Sequence, residues 1–395
     1  MNPAWVVVGA CFLVIFGVWN SHAGFGVFLP VLSNEFGWSR GSVSVAASLN
    51  QFLGGAIGVA VGAASDRHGP RPVLVLCTLG AGAAFLLTSS VGTLWQYYLL
   101  QGLLLGGSMS VIYVVPTATV SRWFADRRGL ALGIVLCGQP LAFVTGGPLA
   151  ASLIGTFGWR RAYLILGALV WLISLPASWK ARFPPGPRSH QASRAAQSSG
   201  AESTFREALR NRRLWLIGGT WLLQGVPYMM VAIHIVPYVR DRGVSLEHAS
   251  LALTVYGISN IVGRLLSGVA ADRLGTRATF SISLVLAFFS LAGMTAGPRL
   301  GLFYALTFGF GLGVAGCDTA AVKAIAEVFG LRAIGAIIGL LSLLWRIGGA
   351  LGPITAGFVY DVTGSYVPAF LFALFAMLVS LILFILGLAS PHRSR

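Results

Sequence analysis

The chain has 395 residues, 56% of them hydrophobic and only 10% charged, with a mean hydropathy of +0.80. A soluble domain carries about 25% charged residues, so a soluble globular protein is excluded and a polytopic membrane protein is indicated. The formal charge of +16 does not mark a nucleic-acid binder, because the basic residues fall in short clusters between long charge-free runs and form no basic domain.

A helix needs about 20 apolar residues to cross the hydrocarbon core. Residues 1–34 carry no charge, hence no basic leader region, and read as a first span that stays in place. A second span is expected at 42–64. Residues 72–121 hold no charge over 50 positions, room for two spans at 72–91 and 94–121. Residues 129–159 and 162–179 supply the fifth and sixth. Residues 180–213 then turn rich in Pro, Ser, Arg and Gln, a polar linker with a short amphipathic piece at 205–213. Six further spans follow at 214–239, 248–271, 278–297, 300–326, 333–359 and 366–389. The expected fold is therefore all-α, with twelve transmembrane helices in two six-helix halves: residues 1–180, a cytoplasmic linker at 181–213, and residues 214–395.

The halves repeat. Gly62-x3-Asp66-Arg67-x-Gly69-x-Arg71 recurs as Gly268-x3-Asp272-Arg273-x-Gly275-x-Arg277, every position 206 residues later. Gly129 and Gly133 recur at the same offset as Gly335 and Gly339, and the pair Gly147-Pro148 recurs as Gly352-Pro353. Self-similarity over half the chain signals a duplicated architecture. Parallel six-helix halves with a binding site between them near the midplane are a known transporter plan. Of 27 Lys and Arg, 19 fall on the side that holds both termini, which predicts cytoplasmic termini in the inner membrane. Cys11, Cys77, Cys137 and Cys317 lie singly in apolar runs, and no metal or cofactor is expected.

Three charges stand well inside spans. Arg264 lies eight residues before Asp272, about 12 Å of helix rise from the helix end. A buried guanidinium costs roughly 2.5–3.5 kcal/mol even on insertion scales, so it needs a reason. Arg346 sits near the middle of the eleventh span, and Asp318 is the one carboxylate well inside a span. Asp318 either neutralises an arginine or carries a proton. Lys323, nearer the interface, can simply snorkel. Asn20, Tyr113, Tyr228 and Asn260 can offer hydrogen bonds to a ligand or act as interhelical glue. His22 and His234 are candidate proton carriers or hydrogen-bonded helix residues. Asp66 and Asp272 can bind a helix N-terminus or a neighbouring arginine, latching one conformation, while the signature arginines anchor the chain on the positive-inside face.

The repeated signature resembles the loop motif of the major facilitator superfamily. Four segments are also similar to the bacterial monocarboxylate and oxalate transporters: GFGVFLPVLSNEFGWSRGSVS (24–44), SRWFADRRGLALGI (121–134), HIVPYVRDRGVS (234–245) and GGALGPITAGFVYDVTGSY (348–366). The resemblance implies that Arg264 binds a substrate carboxylate, a task suited to its bidentate, permanently charged fork, and that Arg346 joins it. It also implies rocking of the halves and proton symport or anion exchange, by a monomer. Two features depart from the animal monocarboxylate transporters, in which an Asp stands at the position of Asn260 and a Lys at that of Ala23. An exporter of cationic drugs is the rival within the fold, disfavoured by two intramembrane arginines. An enzyme or sensor is disfavoured because the spans hold no catalytic or metal constellation, there is no nucleotide-binding loop, and the chain carries no signalling domain.

Overall fold

The computed structural model describes residues 3–124, 127–184, 207–297, 299–329 and 334–388. The linker residues 185–206 and the side chains of Asp66 and Tyr113 lie outside the described residues. Twelve spans run up and down in chain order: α1 (Pro3–Phe36), α2 (Arg40–His68), α3 (Pro70–Thr88), α4 (Leu94–Trp123), α5 (128–157), α6 (159–180), α7 (Arg212–Arg240), α8 (Leu246–Arg273), α9 (Thr276–Thr295), α10 (Leu300–Phe329), α11 (Ile334–Thr363) and α12 (Val367–Leu388). By length and apolarity ten segments qualify as membrane-crossing; one of them holds both α5 and α6, and α2 falls short. With an even number of spans, Pro3 and Leu388 lie on one face, called here the terminal face.

Helix starts and stops follow local chemistry. Ser39 caps α2 by accepting from Ser42 N–H, and Ser245 caps α8 by accepting from His248 N–H. The connections turn on glycines with positive φ, which an L side chain rarely adopts. Gly37, Gly69 and Gly158 have φ of 65°, 85° and 77°; their counterparts 206 residues on, Gly243, Gly275 and Gly364, have 79°, 82° and 66°. The duplication therefore reaches turn geometry, beyond the residues matched by eye. At Gly158 the chain reverses between α5 and α6 with no intervening loop.

Two helices of the N-terminal half are irregular. α1 breaks at Gly24, which packs on Ala150 and Gly146 of α5. α4 opens into a π turn at Tyr98–Leu104, and Asn50 of α2 donates to the Gln101 carbonyl there at 3.1 Å. The side chain of α2 thus occupies a backbone acceptor that the wider turn leaves available.

In the N-terminal half α1 packs on α5 and α3 on α6; in the C-terminal half α7 packs on α11 and α8 on α10. The halves meet along α2–α11 and α5–α8. Small residues permit this: Gly41 lies against α11, while Gly147 and Gly257 let α5 and α8 approach to backbone contact. Outward faces are apolar, with Leu76, Leu172 and Phe289 each about two-thirds exposed or more, the lipid-facing side of an integral multi-pass membrane protein.

Candidate functional site

Helix 8 aligns the site. Tyr256, Asn260 and Arg264 recur every four residues and share one face. Asn260 donates from Nδ2 to the Tyr256 carbonyl at 2.9 Å, and its Oδ1 is buried without a hydrogen-bond partner among the described residues. One turn on, Arg264 Nη2 stands 3.5 Å from Asp318 Oδ2 of α10. Both side chains keep a little over a quarter of their surface exposed (29% and 27%), so water or a solute reaches the pair. Cys137 of α5, in the other half, is within electrostatic reach of Arg264, which sets the ion pair at the boundary between halves.

Arg346 crosses the boundary from α11. A Cβ built on Gly54 of α2 would stand 2.5 Å from its Nη1, and one on Gly55 would stand 3.0 Å from its Cδ. The arginine therefore lies along a two-glycine notch of the opposite half. His22 of α1 is buried within electrostatic reach of Arg346. It packs edge-on to Trp19, with ring centroids 5.4 Å apart, and its Nδ1 has no partner among the described residues.

Tyr228 of α7 is wedged between Tyr256 and Trp345, with ring centroids 5.7 and 5.3 Å away. Phe143 meets Tyr256 from the N-terminal half and continues the aromatic wall to Trp19. The expected ligands thus divide. Arg264, Asp318 and Asn260 lie by the α5–α8 seam, with Tyr228 against Tyr256 of the same helix face, while Arg346 lies at the α2–α11 seam within electrostatic reach of His22. Asn20 turns instead to α5, donating to Thr145 Oγ1.

His234 sits elsewhere, towards the face opposite the termini. Its Nε2 lies 3.0 Å from the Pro353 carbonyl and 3.4 Å from Ser44 Oγ, and its ring stacks near Tyr366. It neighbours a network that residue types alone did not single out. Arg40 donates from Nη1 and Nη2 to both oxygens of Asp241, at 2.7 and 2.6 Å, and from Nη1 to Tyr366 Oη at 2.9 Å. Its guanidinium lies 3.9 Å above the Tyr360 ring. Asp361 of α11 accepts from Arg40 N–H and Gly41 N–H at 2.9 and 2.8 Å, taking up free amides at the start of α2. Burial raises the Tyr366 phenol above its ordinary pKa, against the pull of the Arg40 cation, so the hydroxyl stays neutral. The available signal was that Arg40, Asp241 and Asp361 all fall inside the four quoted segments.

The signature loops lie at the terminal face. Asp272 pairs with Lys323 of α10 at 2.6 Å, and the same Nζ donates to the Ala271 carbonyl. The carboxylate meets a lysine of its own half, rather than an arginine, and Lys323 is held rather than merely extended to the interface. Arg71 stacks on Trp179 of α6, with its guanidinium carbon 3.4 Å from the ring centroid, while Arg67, Arg273 and Arg277 are exposed. Gly62 lets α2 approach Val114 of α4; around Gly268 a Cβ would meet nothing.

Comparisons with known proteins agree with this architecture. The sequence profile described as Major Facilitator Superfamily matches residues 9–247 and 225–395. The chain is similar to monocarboxylate transporter 13 of Bos taurus, 30% identical over 383 residues covering 93% of this chain and 85% of the relative. It is similar to monocarboxylate transporter 11 of Homo sapiens at 28% identity, covering 93% and 79%. Among solved structures, a bacterial homologue of the human lysosomal transporter Spinster, in an inward-facing and unoccupied conformation, superposes with a TM-score of 0.76 at 16% identity, covering 98% of this chain and 96% of that one. From its profile match, its relatives and its two six-helix halves, the chain belongs to the Major Facilitator Superfamily.

Proposed function

We propose that the chain is a secondary active transporter of small monocarboxylates, coupled to protons, working by alternating access. The observation that carries the proposal is the Arg264–Asp318 pair at the boundary of the halves, with Arg346 of α11 reaching across that boundary to α2. Two guanidinium groups and one carboxylate leave that cluster with one net positive charge. A monocarboxylate arriving with a proton on Asp318 releases Arg264 from its partner and replaces one carboxylate by another, bidentately. The empty and the loaded site then carry the same charge, so both meet the same electrostatic cost as the halves reorient. Monocarboxylate transporters among the relatives support this substrate class. Asn260, lacking an acid, takes no part in the proton step.

The seams that join the halves run from the face opposite the termini to mid-depth, through Arg40–Asp241, Ser48–Ala350 and Thr254–Val144. This supports reading the structure as closed on that face, with Arg264 and Asp318 reached from the terminal face. Positive-inside charge makes the terminal face the cytoplasmic one, in the inner membrane.

Purified protein in proteoliposomes, offered labelled lactate, pyruvate, formate and oxalate with and without an inward proton gradient, tests the reading. Accumulation of a monocarboxylate driven by the gradient is expected. Acceleration by internal anion alone, with oxalate preferred, converts the proposal to dicarboxylate exchange; no uptake of any acid ends it. Arg264→Lys, which keeps the charge and loses the fork, is expected to raise KM by about tenfold, the value of one lost charge-assisted bond.

A further inference from the structure

The helix-2 pair Gly54-Gly55 is not part of the repeated signature, yet it meets Arg346, which reaches from α11 across the boundary. A side-chain carbon at Gly54 would come within 2.5 Å of Arg346 Nη1 and 3.3 Å of the Gly106 carbonyl of α4; at Gly55 it would come within 3.0 Å of Arg346 Cδ and 3.2 Å of Leu343 Cδ1. Ordinary carbon contacts need about 3.5–4.0 Å. Any side chain at Gly54 therefore displaces the guanidinium, whereas one at Gly55 meets the stem of the same arginine. Gly58, one turn from Gly54, has only an ordinary contact at 3.5 Å with the Ser110 carbonyl, so α2 does not need glycine for packing along its whole face.

We infer that Gly54 and Gly55 are positioning residues: the notch in the N-terminal half seats the Arg346 guanidinium of the C-terminal half and fixes where it presents its fork to the substrate. The inference rests on the proposed role of Arg346 as a carboxylate ligand and adds the group that aims it. Because seat and arginine belong to different halves, the site is complete only when α2 and α11 are in contact.

The test is a double-substitution cycle in proteoliposomes, with Gly54→Ala, Arg346→Lys and the two combined, and Gly58→Ala as the control for adding a methyl to α2. Gly54→Ala is expected to raise KM for the transported monocarboxylate by about tenfold, equivalent to one lost charge-assisted hydrogen bond, with the maximal rate changed less. In the Arg346→Lys background, which has no Nη1, Gly54→Ala is expected to have no further effect on KM. Gly58→Ala is expected to match the parent. An equal KM penalty from Gly54→Ala in both backgrounds, or none in the parent, overturns the seat. Normal transport by Arg346→Lys overturns the substrate role of Arg346 itself, a distinguishable failure. If Gly54→Ala is too unstable to reconstitute, thermal unfolding in detergent extracts decides. The seat requires that Arg346→Ala restore the melting temperature of the double variant; a clash with the α4 backbone at Gly106 would not be relieved, and that result overturns the seat.

Discussion

At the scale of single residues, the proposed proton coupling turns on Asp318. The Arg264–Asp318 contact at 3.5 Å is long for a charge-assisted hydrogen bond, and the proposed exchange replaces the Asp318 carboxylate on Arg264 by the substrate's, so the guanidinium is never left without an anion. Asp318→Asn mimics the protonated state permanently. It is expected to retain binding of a monocarboxylate while losing acceleration by an inward proton gradient, so that initial uptake no longer rises as external pH falls. Uptake rates measured across a pH series with equal pH on both sides and then with a gradient check this; a gradient response equal to the parent's assigns the proton elsewhere, His22 being the next group near Arg346.

At the scale of elements, the Arg40 network ties α2 to the ends of α7 and α11 with a two-pronged ion pair, a phenol and a stacked ring. Hydrogen bonds to charged groups contribute about 1.5–3 kcal/mol each. Arg40→Gln is expected to shift the balance of the halves by roughly that amount towards opening at this face, about 10- to 150-fold in the equilibrium. Distance distributions between spin labels placed at the α2 and α11 ends on that face report the shift; an unchanged distribution makes the network a local fastening of the α2 start. Helix 8 shows how much one element encodes: the one-turn spacing of Asn260 and Arg264 is legible in the sequence, whereas Tyr256, one turn before, reads as packing because tyrosines in spans usually pack.

At the scale of the molecule, transport by rocking requires the α2–α11 seam to part. Ser48 Oγ donates to the Ala350 carbonyl at 2.6 Å across it. With the native cysteines replaced, Ser48→Cys combined with Ala350→Cys and joined by a short thiol cross-linker is expected to reduce uptake by about tenfold or more, with recovery on reduction if the linker is cleavable; full activity while cross-linked excludes opening there. The transport assay, the Gly54 cycle and this cross-link read three separate links: substrate, aim and motion.

The number of spans and the duplication were legible in the chain alone. Hydrocarbon forces each crossing to be a charge-poor helix, and a repeat at a fixed offset survives in motifs. So were the charges within spans, each costly enough to be visible one residue at a time. The tertiary structure decided what each charge faces. Asp318 pairs with Arg264, Lys323 goes to Asp272, and Asn20 bonds to Thr145. It also revealed the Arg40 clamp, the glycine seat of Arg346 and the paired turns at Gly158 and Gly364. Those depend on contacts between residues up to 326 positions apart, and helical periodicity specifies the face a side chain occupies, not the neighbour that meets it.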